Sequence, residues 1–290
     1  MNREALTVNA WRIAILVFLI VVWQWGWAYK EGPLGWLVPN LLDPYFVSQP
    51  SRIWERFLRL ACFTDRTGNW LLGTDGFAAC LTGNQRNVWL QTAATLRNTF
   101  WGFAVGVSSG VLAGLILGRS ARLAAIFEPY IVALNSLPRI ALVPLIILMF
   151  GLGDLSKIMT AWVIVFFVVF FNTFEGARAV DPDHINAARL LGANEWQIAR
   201  TVVVPSTMAW VFAALTPAVS FSLIGVIVGE FIGAEHGLGK LIVEAEARAD
   251  STDMMVAMFV LMVIGVLLAL LIRRLQNYLL RWQAQFQNRG

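Results

Sequence analysis

Charge is scarce in this 290-residue chain: Asp, Glu, Lys and Arg make up 14% of it against 58% hydrophobic residues, and the mean hydropathy is +0.66. An average globular sequence is about a quarter charged, so the composition excludes a soluble domain and points to an integral membrane protein. Cysteine and histidine are scarcer still, with two of each. Two thiols with no further Cys or His close by make a poor metal site, and that is the situation of Cys62 and Cys80. A phosphate-binding loop is also missing. The nearest string, GLGK at 237–240, runs into Leu241 where a magnesium-binding hydroxyl belongs. No nucleophile stands with a plausible base, so neither catalysis nor a bound cofactor or metal is expected of this chain.

Positive charge is in slight excess, at +4, without any dense basic run. The string AARLLGANEWQIAR (187–200) has the outline of a DNA-binding helix-turn-helix. Apolar spans flank it on both sides, leaving no separate soluble domain to carry such a reader, and no nucleic-acid partner is expected.

What the chain has in abundance is long apolar runs. Six suffice to cross a bilayer, which takes about 20 residues: 12–28, 98–118, 124–150, 157–177, 203–233 and 253–272. Only helices suit these lengths, because a lone helix satisfies its own backbone in lipid. The first run exits through WGWAYKEGP with no small-x-small cleavage site, so it reads as a retained anchor. The expected fold is an all-α membrane protein of about six transmembrane helices. It divides into an N-terminal helix (1–28), an intervening segment (29–97), a five-helix core (98–272) and a tail (273–290).

Within the spans, small and polar residues stand out. Gly102, Gly106, Gly110, Gly114 and Gly118 recur every four residues and form one ridge of the second helix. Without side chains a neighbouring helix approaches closely, and close packing is a main attraction between helices in lipid. The ridge either packs within the chain, or part of it faces a second copy or slides against another helix. Polar groups at membrane depth are costly and normally face protein or water; Asn135, Ser136, Arg139, Asn172 and Glu230 are therefore candidates for a pathway wall. Pro138 and Pro144 flank Arg139 and predict a kinked or broken helix there, with freed backbone groups lining a cavity. Arg139 either attracts an anionic solute or has a structural role, as a pair with Glu230 or a contact with an open carbonyl. Around Glu230, the glycines 225, 229, 233, 237 and 239 are expected to loosen the helix end, making a gate or an ordinary loop before an amphipathic helix, KLIVEAEARAD.

One long polar interval lies between apolar spans: DPDHINAARLLGANEWQIARTVVVP, 181–205. Asp181 before Pro182 is an N-cap with proline at the first helical position. Gly192 ends that helix, and Asn194 with Gln197 caps a second. The prediction is a helix-turn-helix hairpin offered to a soluble partner, with His184 as a surface or capping residue.

The spacing of Ala187, Ala188, Gly192 and Pro205, with Val202 and Val204 between, resembles the cytoplasmic "EAA" loop of permease subunits of bacterial ABC importers. The Glu of that pattern is Asn186 here, while Asp183 and Glu195 leave acidic groups nearby. Three further segments, LNSLPRIALVPLIILMFGLGDLSKI (134–158), VGEFIGAEHGLGK (228–240) and RRLQNYLLRW (273–282), are similar to the nitrate/sulfonate/taurine/bicarbonate branch. The likeness spans roughly 88–283.

This resemblance implies a multi-pass permease of the bacterial inner membrane that carries a small solute; the branch handles chemically diverse molecules, and it is Arg139 that favours an anion. Its partners would be a second copy of the chain, two cytoplasmic ATPase subunits binding ATP and Mg, and an extracytoplasmic solute-binding protein. Asp183, Asn186, Ala187, Ala188, Gly192, Glu195 and Pro205 become the residues that couple to the ATPase. Both termini are then cytoplasmic, with Arg119, Arg122, Arg178, Arg189, Arg200, Arg273 and Arg274 inside but Arg52, Arg56, Arg59, Arg66, Arg86 and Arg97 outside. His184 and His236 fall on opposite sides. Residues 62–87, CFTDRTGNWLLGTDGFAACLTGNQRN, look like an insertion relative to the family, placed outside behind an amphipathic segment with Ile53, Phe57 and Leu60 on one face. There Cys62 and Cys80 either form a disulfide worth about 3 kcal/mol or remain free at the membrane surface. The insert is a candidate contact for the binding protein. Leu279, Leu280, Trp282 and Phe286 suit an interfacial tail helix. An ATP-independent secondary transporter or channel is the competing reading, since broken helices and buried polar residues serve it too.

Overall fold

The computed structural model describes residues 3–29, 43, 45–65, 67–71, 75–84, 86–233 and 235–280. Arg66, Trp282 and Phe286, on which expectations were placed, lie outside the described residues. Among the described residues the structure is helical apart from one antiparallel bridge, Thr64–Trp70. Helix α1 (Arg3–Trp25) ends in a 3-10 turn, Gly26–Tyr29. Next come α2 (Pro50–Leu60), α3 (Asp75–Gly83), the long α4 (Val88–Arg119) and α5 (Ala121–Asn135). A 3-10 turn, Arg139–Leu142, leads into α6 (Val143–Phe150), followed by α7 (Asp154–Arg178) and α8 (Pro182–Leu190). α9 (Glu195–Ile198) continues through a π-helical turn, Ala199–Val203, into α10 (Val204–Phe231), and α11 (Leu238–Ala247) and α12 (Ser251–Leu279) complete the order.

Among the described residues five segments are long and apolar enough to cross a membrane: Thr7–Trp25, Val88–Arg119, Asp154–Arg178, Glu195–Phe231 and Ser251–Leu279. A sixth candidate is the pair Arg122–Asn135 and Arg139–Phe150, bent by 83°. The predicted kink is thus a full break at 136–138, where Pro138 disfavours helical geometry for Leu137.

Two boundaries differ from expectation. The second helix of the hairpin is not a separate element, because Glu195–Phe231 is one span of 37 residues. Pro205 has no N–H to give to the carbonyl one turn back, and the chain widens instead of stopping: the N–H of Val204 reaches back to the carbonyl of Ala199. At about 1.5 Å per residue such a helix exceeds the roughly 30 Å hydrocarbon core, so it stands proud of the membrane. Residues 273–279, expected as a separate tail, continue α12. Gln276 holds those last turns to α10 by donating to the carbonyl of Phe212 and accepting from the hydroxyl of Thr216 at 3.2 Å.

The chain divides into two compact units. In the larger, Thr92–Lys240 with Met262–Gly290, the glycine ridge of α4 meets α7 in constant register. Gly102 faces Ala161, Gly106 faces Val165, Gly110 faces Val169, Gly114 faces Thr173 and Gly118 faces Ala177. A Cβ at Gly106, Gly114 or Gly118 would come within 2.6, 2.7 or 2.8 Å of the partner's Cβ. The two helices therefore run parallel at backbone contact, and the ridge packs within the chain. α10 runs antiparallel to α7, with Gly225 against Ala161, Gly229 against Lys157, and Trp210 against Gly176. Gly225 and Gly229 are contact points in a continuous helix, not the loosened backbone expected from their spacing. Between these helices Val165, Val169, Ala214 and Ala218 are buried beneath Phe103, Val107 and Val111.

In the smaller unit, Met1–Gln91 with Leu241–Leu261, α2 buries Ile53 and Arg56 binds Asp250 at 3.0 Å and Asp253 at 2.5 Å. Cys62 and Cys80 are bridged. Cys62 has a left-handed backbone (φ +61°), an unfavourable conformation for a side-chain-bearing residue. Its surroundings hold it there: Trp89 donates from Nε1 to the carbonyl of Ala61 at 3.0 Å, and Phe63 lies between Phe77 and Trp89. The hydroxyl of Thr67, with the backbone N–H of Asn69, holds the Asp65 carboxyl below its usual range.

Gly114→Val should cost about 1–3 kcal/mol through overpacking. It is read as a lower melting midpoint in detergent by tryptophan fluorescence, against Gly83→Ala, where a Cβ meets nothing within 4 Å. Replacing both cysteines by serine should lose about 3 kcal/mol by the chain-entropy estimate for an 18-residue separation; the same melts under reducing and non-reducing conditions check it, with reduction leaving the double variant unchanged.

Candidate functional site

The hairpin at 181–198 is built by its caps. Asp181 accepts from the N–H of Asp183 at 2.9 Å and Pro182 opens α8. Gly192 takes φ +83° in the turn, a conformation that glycine adopts without steric cost. Asn194 and Gln197 form a reciprocal capping box at 2.9 and 2.8 Å. Ile185, Ala188 and Ala193 then seat the hairpin on a buried cluster of Ala177, Val180, Ile198 and Val203. Charge adds to this. Glu195 accepts from Arg189 at 3.0 and 3.2 Å and pairs with Arg119 at the end of α4. A cleft of about 410 Å³ beside the hairpin holds Arg119, Glu128, Arg178 and Glu195.

The predicted coupling residues therefore divide. Asp183, Asn186 and Ala187 are exposed, and so is His184. Ala188 turns inward onto the chain's own core, Pro205 is half-buried at the start of α10, and Glu195 is engaged within the chain. Sequence reasoning missed the largest exposed side chains of the hairpin: Leu190, Leu191 and Trp196 are 90%, 88% and 74% exposed. The signal was available. Leu190, five residues after Ile185 and two after Ala188, falls off the helical face that those two set.

A second cleft, of about 400 Å³, opens at the break between α5 and α6 and is lined by Asn135, Pro138, Arg139, Ile164, Phe221 and Ile224. Arg139 donates to Oδ1 of Asn135 and lies 5.4 Å from the Phe167 ring centroid. Ser136, beside it, donates to the carbonyl of Val132 at 2.9 Å, and Asn172 to that of Val168 at 2.8 Å. The structure thus brings Asn135 and Arg139 together, and places neither Asn172 nor Glu230 in that cleft.

Glu230 lies at the end opposite the hairpin and is 1% exposed. Its carboxylate accepts from the Thr95 hydroxyl at 2.8 and 3.1 Å and from the Gly239 N–H at 2.8 Å, while the N–H of Leu238 donates to Thr95 at 2.9 Å. Gly237 (φ +133°) leaves room for that carboxylate, since a Cβ there would overlap it. The suggested Arg139–Glu230 pair is not made, because the returning turn takes the carboxylate first. Next to it Lys157, 2% exposed, donates to Asp154 at 3.4 Å and to the carbonyl of His236 at 3.5 Å. Asp154 in turn pairs with Arg97 and accepts from Asn98 at 3.0 Å. Glu230 is a clamp on the turn.

Residues 107–285 match the family described as "Binding-protein-dependent transport system inner membrane component". The chain is 32% identical over 197 residues to the riboflavin transport system permease protein RibX of Chloroflexus aurantiacus, covering 68% of this chain and 74% of that one. It is 27% identical over 278 residues to the taurine transport system permease protein TauC of Escherichia coli, covering 95% and 90%. Among solved structures, an inward-facing conformation of the MetNI methionine ABC transporter shares the fold, with a TM-score of 0.54, 22% identity, and coverage of 67% of this chain and 94% of that one. The chain belongs to the binding-protein-dependent transport system inner membrane components, the multi-pass, non-catalytic permease subunits of ABC importers.

Proposed function

We propose that the 181–198 hairpin is the element through which this permease is driven, docking on cytoplasmic ATPase subunits that bind ATP and Mg. The observation that supports this most is the exposed apolar tip, Leu190, Leu191 and Trp196, on a hairpin otherwise seated and ion-paired to its own chain. Large apolar and aromatic side chains held rigidly in solvent are what a partner's groove buries as anchors. Asp183, Asn186 and Ala187 flank the tip as polar and small rim contacts, and Gly192 and Pro205 fix its geometry.

On this reading the hairpin side is cytoplasmic. Six crossings, counting the broken pair as one, return both termini to it, and Arg119, Arg178, Arg189, Arg200, Arg273 and Arg274 gather there in accord with the positive-inside tendency. A second copy of the chain completes the pathway. The break at 136–138 frees backbone groups beside Arg139 at membrane depth, and Leu137 and Ile140 around it are exposed. Lipid satisfies neither the backbone nor the guanidinium, whereas a facing subunit and an aqueous path satisfy both. A solute-binding protein delivers the solute outside. Nucleotide binding shifts the access of the path only because one conformation binds it more tightly.

The test is purification of the tagged chain from its native membrane with the ATPase that accompanies it. Leu190→Asp/Leu191→Asp should reduce ATPase recovery at least about tenfold, the equivalent of roughly 1.4 kcal/mol, with membrane insertion unchanged. Full recovery of the ATPase with the double variant, or solute uptake by the chain alone without ATP, would overturn the reading.

A further inference from the structure

The break between α5 and α6 holds a guanidinium whose hydrogen bonding is incomplete. Arginine carries five N–H donors. At Arg139 one amino group reaches Oδ1 of Asn135, the Phe167 ring lies 5.4 Å from the guanidinium carbon, and Nε is enclosed with no acceptor. A buried donor without a partner is unfavourable and calls for an explanation. The one acid predicted to neutralise this arginine, Glu230, is committed to Thr95 and Gly239.

The cleft around Arg139 carries no other formal charge among its described lining residues. Its walls are Ile164, Phe221 and Ile224, and its volume is about 400 Å³, near the lower end of small-molecule pockets, which run from roughly 300 to 1,000 Å³. Asn135 spends its carbonyl oxygen on Arg139, and its amide N–H groups are the donors it has left. Two donor groups side by side, one of them a planar cation, match the oxygens of a carboxylate or a sulfonate. Apolar walls beyond them match a short aliphatic body.

We propose that the Arg139–Asn135 cleft is a binding site on the permease itself for a small organic oxyanion, with the head on the Arg139 fork and the Asn135 amide, and the body against Phe221 and Ile224. The site rests on the reading of this chain as the pathway-forming subunit and adds a selectivity step after delivery. A lone positive charge between apolar walls raises the local concentration of anions and lowers that of cations, by tenfold or more in clefts of this kind. Solutes lacking an oxyanion leave the Arg139 donors unpaired and pass less readily.

The experiment introduces Ile224→Cys into the assembled transporter in nanodiscs. The chain's two native cysteines are consumed in the 62–80 bridge, so labelling of this chain, read by mass, reports position 224 alone. The reagents are sulfonatoethyl and trimethylammonioethyl methanethiosulfonate, each rate being divided by that reagent's rate with a small free thiol, and the expected result is a preference for the anionic one of about tenfold or more. Millimolar ethanesulfonate or propionate should slow the reaction, whereas tetraethylammonium should not. Whichever of the two anions protects better identifies the head group. Arg139→Gln should abolish both the preference and the protection, and Arg139→Lys should keep the preference while losing most of the protection. Should Arg139→Gln fail to assemble, Asn135→Asp serves instead: its carboxylate pairs with Arg139, cancels the charge of the cleft and should abolish the preference. Equal rates with the two reagents, a preference unchanged by Arg139→Gln or Asn135→Asp, or a position 224 that reacts with neither reagent would each overturn the proposal. ATP hydrolysis measured on the same samples reports the importer assembly separately: anion preference without a copurified ATPase supports the site and sinks the assembly.

Discussion

The rest of the larger unit depends on the contact between α4 and α7. Five glycines at one-turn intervals on α4 meet Ala161, Val165, Val169, Thr173 and Ala177, so the small residues of one helix receive the side chains of the other. Because every contact has the same offset, the two helices are fixed axially as well as laterally. Lipid gives helices no hydrophobic reason to associate, and close backbone approach supplies the attraction instead. Ala161 is then enclosed twice, by Gly102 of α4 and by Gly225 of α10. A longer side chain at that position would push on both neighbours at once.

A pillar packed this closely does not bend, and motion has to enter at its ends. At one end the hairpin sits on Ala177 and Val180 of the α7 terminus and is tied through Glu195 to Arg119 of α4. A displacement of the hairpin is therefore handed to two helices whose relative register is already fixed. At the other end Glu230 clamps the turn that follows α10 to Thr95 of α4. The least constrained part lies between, in the α5–α6 pair, where the helix is broken by 83° and Arg139 keeps an unpaired donor. Stiffness along α4, α7 and α10 and freedom beside them is an arrangement that moves a wall without unpacking the core.

Much of this was legible in the letters, and the limits are instructive. The caps at Asp181 and Asn194 are local hydrogen-bond chemistry and stand where their residue types predict. The break at Pro138 is likewise local. The glycine ridge announced a close contact but not its partner, since the partner lies 59 positions away in α7 and nothing in the spacing of α4 points there. Gly225 and Gly229 were misread because glycine serves flexibility and close approach with the same letter; only the neighbouring backbone of α7 decides between them. That the hairpin's second helix runs on into α10 was not foreseen, because the π turn that absorbs Pro205 leaves no mark in the sequence. Attention to small residues in the hairpin hid Leu190, Leu191 and Trp196, whose meaning depends on which face of α8 the chain's own core already occupies.

That occupancy bears on how the hairpin grips a partner. The position where the family pattern has glutamate is Asn186, and of the two acids nearby, Asp183 and Glu195, the second is held by Arg119 and Arg189. On the proposed docking, the exposed Asp183 is the acid left for an ionic contact, and most of the attachment falls to the apolar tip. Ion pairs at an exposed surface weaken as salt rises, with a screening length of about 8 Å at physiological strength. Burial of apolar surface does not weaken in that way. A hairpin that spends its acid on its own chain thus exchanges a salt-sensitive contact for a stiffer lever, since the same glutamate that is denied to the partner is what ties the hairpin to α4.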